Sequence, residues 1–171
     1  SDLEIPLKIV TTDFWKRQEV VLDSGDLLFA MRASMSLPVI FKPVKIGHTV
    51  LMDGGMVNPL PYDIIRDHCD VLIAIDVSGE KTPREHAIMP KMLESIMSSF
   101  QIMQASIVQN KMKSIQPDIY IKPTLKNIRV LNFDKHEEII TGVKEDVLRF
   151  QIELDQFLSK NKIFSLFGRK N

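Results

Sequence analysis

Val71-Leu72-Ile73-Ala74-Ile75-Asp76-Val77 is apolar at nearly every position. Successive side chains of a strand point to opposite faces, so a half-buried strand alternates apolar with polar residues. A continuous apolar run predicts a strand covered on both faces, as in a parallel sheet lying between helices. Such a strand also needs hydrogen-bonded neighbours along both edges, because an open apolar edge invites aggregation. The segment therefore predicts a layered α/β protein. It also predicts that Val71–Val77 is neighboured by residues outside this sequence or by another chain.

Upstream, Leu7-Lys8-Ile9-Val10-Thr11-Thr12 and Glu19-Val20-Val21-Leu22 are rich in β-branched residues and read as strands, with a turn over Phe14–Gln18. Ser24-Gly25-Asp26 opens a short helix on which Leu27, Leu28, Met31 and Met35 repeat at helical spacing, closed off by Pro38 and Pro43. Val44-Lys45-Ile46 and Thr49-Val50-Leu51-Met52 form a hairpin around the two-residue turn Gly47-His48. Pro61 suits the first turn of a helix reaching about His68. Downstream, Met89, Leu93, Ile96, Phe100, Met103 and Ile107 mark the buried stripe of a long helix, with contact of its methionines to acyl chains or a partner as the other reading. Ile119-Tyr120-Ile121 is a further strand, and Arg129–Phe133 another. Asp134 and Glu137 have capping-box spacing ahead of a final helix carried by Ile139, Val143, Val147, Phe150, Leu154 and Leu158 and interrupted at Gly142. No repeat or low-complexity linker divides residues 1–171, so one domain is expected.

Composition bounds the function. Lys+Arg and Asp+Glu each number 22, and this balance excludes nucleic acid as the main partner, since phosphate binding wants a surplus of cations. With 44% hydrophobic and 26% charged residues, the chain has an ordinary globular mixture. Its longest aliphatic stretch, Val71–Ile75, is far too short to span a bilayer, and Ser1-Asp2-Leu3-Glu4 is no secretory leader. A cytoplasmic protein is expected. The single cysteine, Cys69, closes no intrachain disulfide and reads as inert packing.

Asp53-Gly54-Gly55 is the sharpest chemical feature. A carboxylate placed directly after a strand has its direction fixed by the sheet. Two glycines let the backbone approach another group closely or adopt positive φ. Such an aspartate can orient or deprotonate a nucleophile within hydrogen-bond reach. The competing reading is an ordinary Asp-Gly turn in which Asp53 caps its own backbone.

The surroundings favour chemistry. Ala30-Met31-Arg32-Ala33-Ser34-Met35-Ser36-Leu37-Pro38, followed by Leu51-Met52-Asp53-Gly54-Gly55-Met56-Val57-Asn58-Pro59-Leu60-Pro61 and then Ala74-Ile75-Asp76-Val77-Ser78, resembles the patatin-like phospholipase family. The resemblance implies a patatin-like α/β fold. It also implies lipid acyl hydrolysis by a Ser-Asp dyad, with Asp53 as the matching aspartate and the serine in a G-x-S-x-G elbow. No G-x-S-x-G occurs in these 171 residues, and no glycine-rich oxyanion loop precedes Ile5. The chain is therefore read as the C-terminal portion of one such domain, incomplete and inactive alone. Its substrate would be a lipid or other ester, with no cofactor. The alternative is a non-catalytic module of the same half-fold that binds a partner chain.

Other residues carry less. Ser34 and Ser36 read as turn and helix-end serines that bond local backbone. The histidines 48, 68, 86 and 136 show no zinc spacing, and His48 reads as a solvated turn residue. Asp53, Asp63 and Asp76 holding Mg²⁺ would define a phosphotransferase, but no phosphate loop accompanies them, so no metal is assigned. The tail Lys160–Lys170 mixes apolar and basic residues. It reads as a frayed or docked terminus, with contact to an anionic membrane surface as the other option.

Overall fold

The computed structural model describes residues 2–79, 89–125, 128 and 132–167, and all their side chains except those of 133 and 161–167. The chain is mixed α/β and divides into two compact units.

The first unit comprises residues 1–64 and 89–116. Its sheet has the order β2-β1-β4-β3, with β1 (Ile9–Asp13), β2 (Gln18–Leu22), β3 (Val44–Ile46) and β4 (Thr49–Asp53). All three pairings are antiparallel. The two hairpins fall where β-branched runs and turn residues place them. At the first, the Asp13 carboxylate accepts from the backbone N–H groups of Trp15 and Lys16, both at 3.0 Å, and Arg17 takes φ 56°. At the second, Gly47 takes φ 57° at the first loop position, which a side chain rarely adopts.

The strand buried on both faces is β1, where Val10, Thr11, Thr12 and Asp13 are all inaccessible. Two threonines made this hard to read from sequence. Their hydroxyls are satisfied by backbone, Thr11 Oγ1 donating to the Val20 carbonyl at 3.0 Å and Thr12 Oγ1 to that of Asp53 at 2.8 Å. A buried hydroxyl with a partner costs little.

Helix α1 (Leu27–Ser34) begins at Asp26, whose side chain accepts from Phe29 N–H at 3.0 Å. It buries Ala30 and Ala33, and Ala33 forms the core with Val44 and Leu51, lined by Val20 and Leu22. The larger stripe expected to face that core, Leu27, Leu28, Met31 and Met35, is exposed instead. The small-residue face of α1 is the one that packs on the sheet.

Helix α2 (Met92–Ser114) is as long as expected but has no fully buried residue. Its half-buried positions include Glu94, Met97, Ser98, Gln101, Gln104, Val108 and Lys111. The anticipated buried stripe is therefore corrected. Leu93, Ile96 and Met103 are exposed, and only Phe100 and Ile107 are partly covered. A more polar set is preferred because Gln104 and Lys111 find acceptors in the loop after β4.

The second unit comprises residues 65–88 and 117–171. Here β5 (Ile73–Ile75) pairs in parallel with β6 (Ile119–Ile121), so the expected parallel strand is present, shorter than its apolar run. Leu72 and Ala74 are buried, whereas Ile75 and Val77 are open, so the prediction of two covered faces fails among the described residues. Asp118 fixes the start of this pair, accepting from Leu72 N–H at 2.7 Å and from Arg66 Nη1 at 2.8 Å. The helix expected from Pro61 to His68 is a 3-10 helix, Tyr62–His68.

The final helix is broken as read, into α3 (His136–Gly142) and α4 (Lys144–Phe167). The capping box is not formed. Lys135 occupies the cap position with no side-chain hydrogen bond, because a 3-10 turn over Phe133–Lys135 takes up Asp134. The strand expected at Arg129–Phe133 and the end of the basic tail lie outside the described residues. No described helix is long and apolar enough to cross a membrane.

Candidate active site

Asp53 ends β4 and is held there from three sides. Its N–H donates to the Ser36 carbonyl at 3.2 Å, its carbonyl accepts from Thr12, and β1 pairs Thr11 directly opposite it. The Ala33–Pro38 stretch thus positions the aspartate through its backbone. The two serines there act structurally, but not identically. Ser36 Oγ donates to the Arg32 carbonyl at 2.7 Å, the local bond expected. Ser34 Oγ reaches across to the Val10 carbonyl at 2.8 Å and ties α1 to β1.

Beyond Asp53 the chain enters a 3-10 turn, Gly54–Met56. Asp53 Oδ1 accepts from Gly55 N–H at 2.7 Å, while the Gly54 carbonyl accepts from Val57 and Asn58 at 3.1 and 2.9 Å. A Cβ on Gly54 would lie 2.3 Å from the Val10 carbonyl oxygen, so only glycine lets the turn rest on β1. Neither glycine has positive φ. Close approach, not backbone handedness, is what the pair supplies. A Cβ on Gly55 would meet both Gln104 Nε2, at 2.3 Å, and Asp53 Oδ1, at 2.8 Å. The Gln104 amide and the Asp53 carboxylate therefore lie on the same side of the turn.

The half-buried Asp53 carboxyl is raised above the ordinary carboxylate range, because burial disfavours its charged form more than the Gly55 hydrogen bond favours it. Such a shift suits a proton acceptor, as a carboxylate near its reference pKa of about 4 is a weak base. The local cap uses Oδ1, and among the described residues no donor is placed on Oδ2. The shift also has a sign for stability. An Asp with a raised folded pKa contributes most below its unfolded value and loses that contribution as pH rises through the folded value. Asp53→Asn should therefore melt at or above the wild-type temperature at pH 7, with the gap closing near pH 3. Thermal unfolding followed by circular dichroism at both values reads this, and a large loss at pH 7 contradicts it.

Two turns of α2 anchor the loop. Gln104 Nε2 donates to the Gly55 carbonyl at 3.2 Å, and seven residues on, Lys111 Nζ donates to the Leu60 carbonyl at 2.9 Å and pairs with Asp63 and Asn58. Asn58 Nδ2 in turn donates to Glu19 and Asp63. The ammonium also sits 5.2 Å from the Tyr62 ring centre, and the Tyr62 hydroxyl donates to the Ile115 carbonyl at 2.6 Å. Gln104, Lys111 and Asn58 were not singled out by sequence. The spacing of Gln104 and Lys111 on one helix face was the available signal.

In the second unit Asp76 is engaged by Ser78 N–H and hydroxyl and by the Tyr120 hydroxyl at 2.8 Å, with Lys122 Nζ 3.7 Å away. Burial pushes its carboxyl up, but the bonds from Ser78 and Tyr120 and the Lys122 charge outweigh this and hold it below its ordinary value. Asp63 is committed to Lys111. Among the described residues, no group of three His, Cys, Asp or Glu is placed to hold a metal ion. Cys69 is half-buried, its thiol 3.8 Å from the Arg66 carbonyl.

These features define an α/β protein with an aspartate fixed at the end of a strand by a glycine turn. Residues 1–66 match the family model of the patatin-like phospholipases. The whole chain is 29% identical, over 208 aligned positions, to mouse patatin-like phospholipase domain-containing protein 7, of which it covers 15%. It is 26% identical to lysophospholipase NTE1 of Kluyveromyces lactis over 75% of the chain and 10% of that protein. Over 47% of the chain it is 34% identical to an uncharacterized NTE family protein of Mycobacterium tuberculosis, covering 23% of it. The chain is similar to patatin-like phospholipases, through the family model over residues 1–66, and spans less than a quarter of the length of these relatives.

Proposed function

We propose that these residues are the C-terminal portion of a lipid acyl hydrolase domain and that Asp53 is the general base of a Ser-Asp dyad. The observation that carries this is the half-buried Asp53 carboxyl, raised above its usual range, with one oxygen fixed by Gly55 and the other without a described donor. The serine, held on polypeptide outside this sequence, would lose its proton to Asp53 while attacking the ester carbonyl, and Asp53 would pass that proton to the departing alcohol as the ester C–O bond breaks. Water deprotonated by Asp53 would then attack the acyl-serine, releasing the fatty acid as Asp53 returns the proton to the serine oxygen. The same outside polypeptide, or another chain, would supply the neighbour that β5 and β6 lack among the described residues. Relatives named as phospholipase and lysophospholipase support a phospholipid or lysophospholipid ester as substrate.

The test joins this sequence to its nucleophile-bearing segment and treats the protein with a fluorophosphonate. One serine outside the sequence should be labelled, and Asp53→Asn should slow that labelling by at least about a hundredfold, the usual weight of a general base. Equal labelling rates in the two proteins would refute the role of Asp53.

A further inference from the structure

No backbone requirement explains the glycine at position 55. Among the described residues the glycines with positive φ are Gly25 and Gly47, so handedness does not demand one there. The demand comes from its neighbours. A Cβ on Gly55 would lie 2.3 Å from Gln104 Nε2, 3.6 Å from Gln104 Cδ and 2.8 Å from Asp53 Oδ1. The half-buried Gln104 amide thus fills the space a side chain would take, and from there its Nε2 donates to the Gly55 carbonyl at 3.2 Å.

The same glycine donates its N–H to Asp53 Oδ1 at 2.7 Å. One residue therefore carries both bonds: its carbonyl is held by α2, and its N–H holds the carboxylate. Glycine has more backbone freedom than any other residue, so without an outside tie the direction of that N–H is poorly fixed. Gln104 supplies the tie from the middle of a 23-residue helix, the kind of rigid element that holds a functional group in place. A carboxylate pinned at Oδ1 does not exchange its two oxygens by rotation. Oδ2, which has no donor among the described residues, then keeps one direction.

We propose that Gln104 is a positioning residue for Asp53, acting through Gly55 to hold the carboxylate in the orientation in which it takes the serine proton. This rests on the dyad reading and adds to it a residue that acts without touching the serine or the ester. The test variant is Gln104→Met, in the protein that includes the nucleophile-bearing segment. Methionine keeps the length of the side chain and removes the donor. The maximal rate of fluorophosphonate labelling should fall about tenfold, the weight of one hydrogen bond that orients a reacting group, while the reagent concentration giving half that rate stays unchanged. In an Asp53→Asn background the same change should slow labelling by less than about twofold, because the base it positions is gone.

Equal slowing in both backgrounds would reduce Gln104 to general support of the loop and overturn the proposal, as would an unchanged rate in Gln104→Met. Labelling of Asp53→Asn at the wild-type rate would instead remove the dyad alone, and amide hydrogen exchange then decides the positioning. Gln104→Met should speed exchange at Gly55 about tenfold, while the amides of Val10–Thr12 in β1 exchange as before. Exchange at Gly55 equal to that of the wild type would show that Gln104 does not hold the Asp53 turn.

Discussion

Asp53→Asn, made in a protein that joins this sequence to its serine, is expected to lower kcat on a long-chain lysophospholipid by about a thousandfold with KM nearly unchanged. Asparagine keeps the shape of the side chain and an oxygen able to accept from Gly55 N–H, so the turn survives. In the proposed dyad, what is lost is the ability to take a proton when serine attacks and again when water releases the acyl group. The two proposed steps share one base, so no second residue is expected to compensate. Because burial of the charged carboxylate costs stability, the variant should fold at least as well as the wild type. A rate loss with an unchanged or higher Tm is the pattern of a catalytic group. A loss below about tenfold, or one matched by unfolding, would remove Asp53 from the mechanism.

The second large effect is expected at Gly54. Alanine there would place its Cβ 2.3 Å from the Val10 carbonyl oxygen and 2.6 Å from the carbonyl carbon. Both atoms belong to β1, the strand buried on both faces, whose backbone is fixed by pairing with β2 and β4. A flexible side chain could swing away from such a clash, but a paired backbone cannot. Gly54→Ala should cost about 3 kcal/mol, the upper range for overpacking, or about 10 °C in Tm for a chain of this size. Gly55→Ala makes the useful comparison. Its Cβ meets the amide end of Gln104, which can rotate, together with Asp53 Oδ1. The expected result is a smaller stability loss with a disturbed Asp53. Denaturant unfolding of the two variants distinguishes them, and equal losses would show that β1 yields.

Other variants should respect the same division between support and chemistry. Gln104 and Lys111 hold the loop through its carbonyls and through Asn58 and Asp63, whereas Asp53 carries the raised carboxyl of a proton acceptor.

Some of this was legible from the residues alone, for physical reasons. Backbone propensity and turn chemistry act locally, so the β-branched runs at Ile9–Asp13 and Gln18–Leu22, the Gly47-His48 turn, the Asp26 cap and the break at Gly142 follow from neighbours in sequence. Asp53-Gly54-Gly55 was likewise visible, because a strand running into two glycines leaves few placements for the carboxylate. Which surfaces pack is a matter of shape and partners at long range, and there only the tertiary structure decides. It put Thr11 and Thr12 in the interior because backbone carbonyls meet their hydroxyls. It buried Ala30 and Ala33 and left Met31 and Met35 exposed, with Ser34 Oγ bonding the Val10 carbonyl to tie α1 to the sheet. It also turned Gln104 and Lys111 of α2 toward the loop after β4, since Gly55, Leu60 and Asp63 offer them acceptors that apolar side chains cannot use.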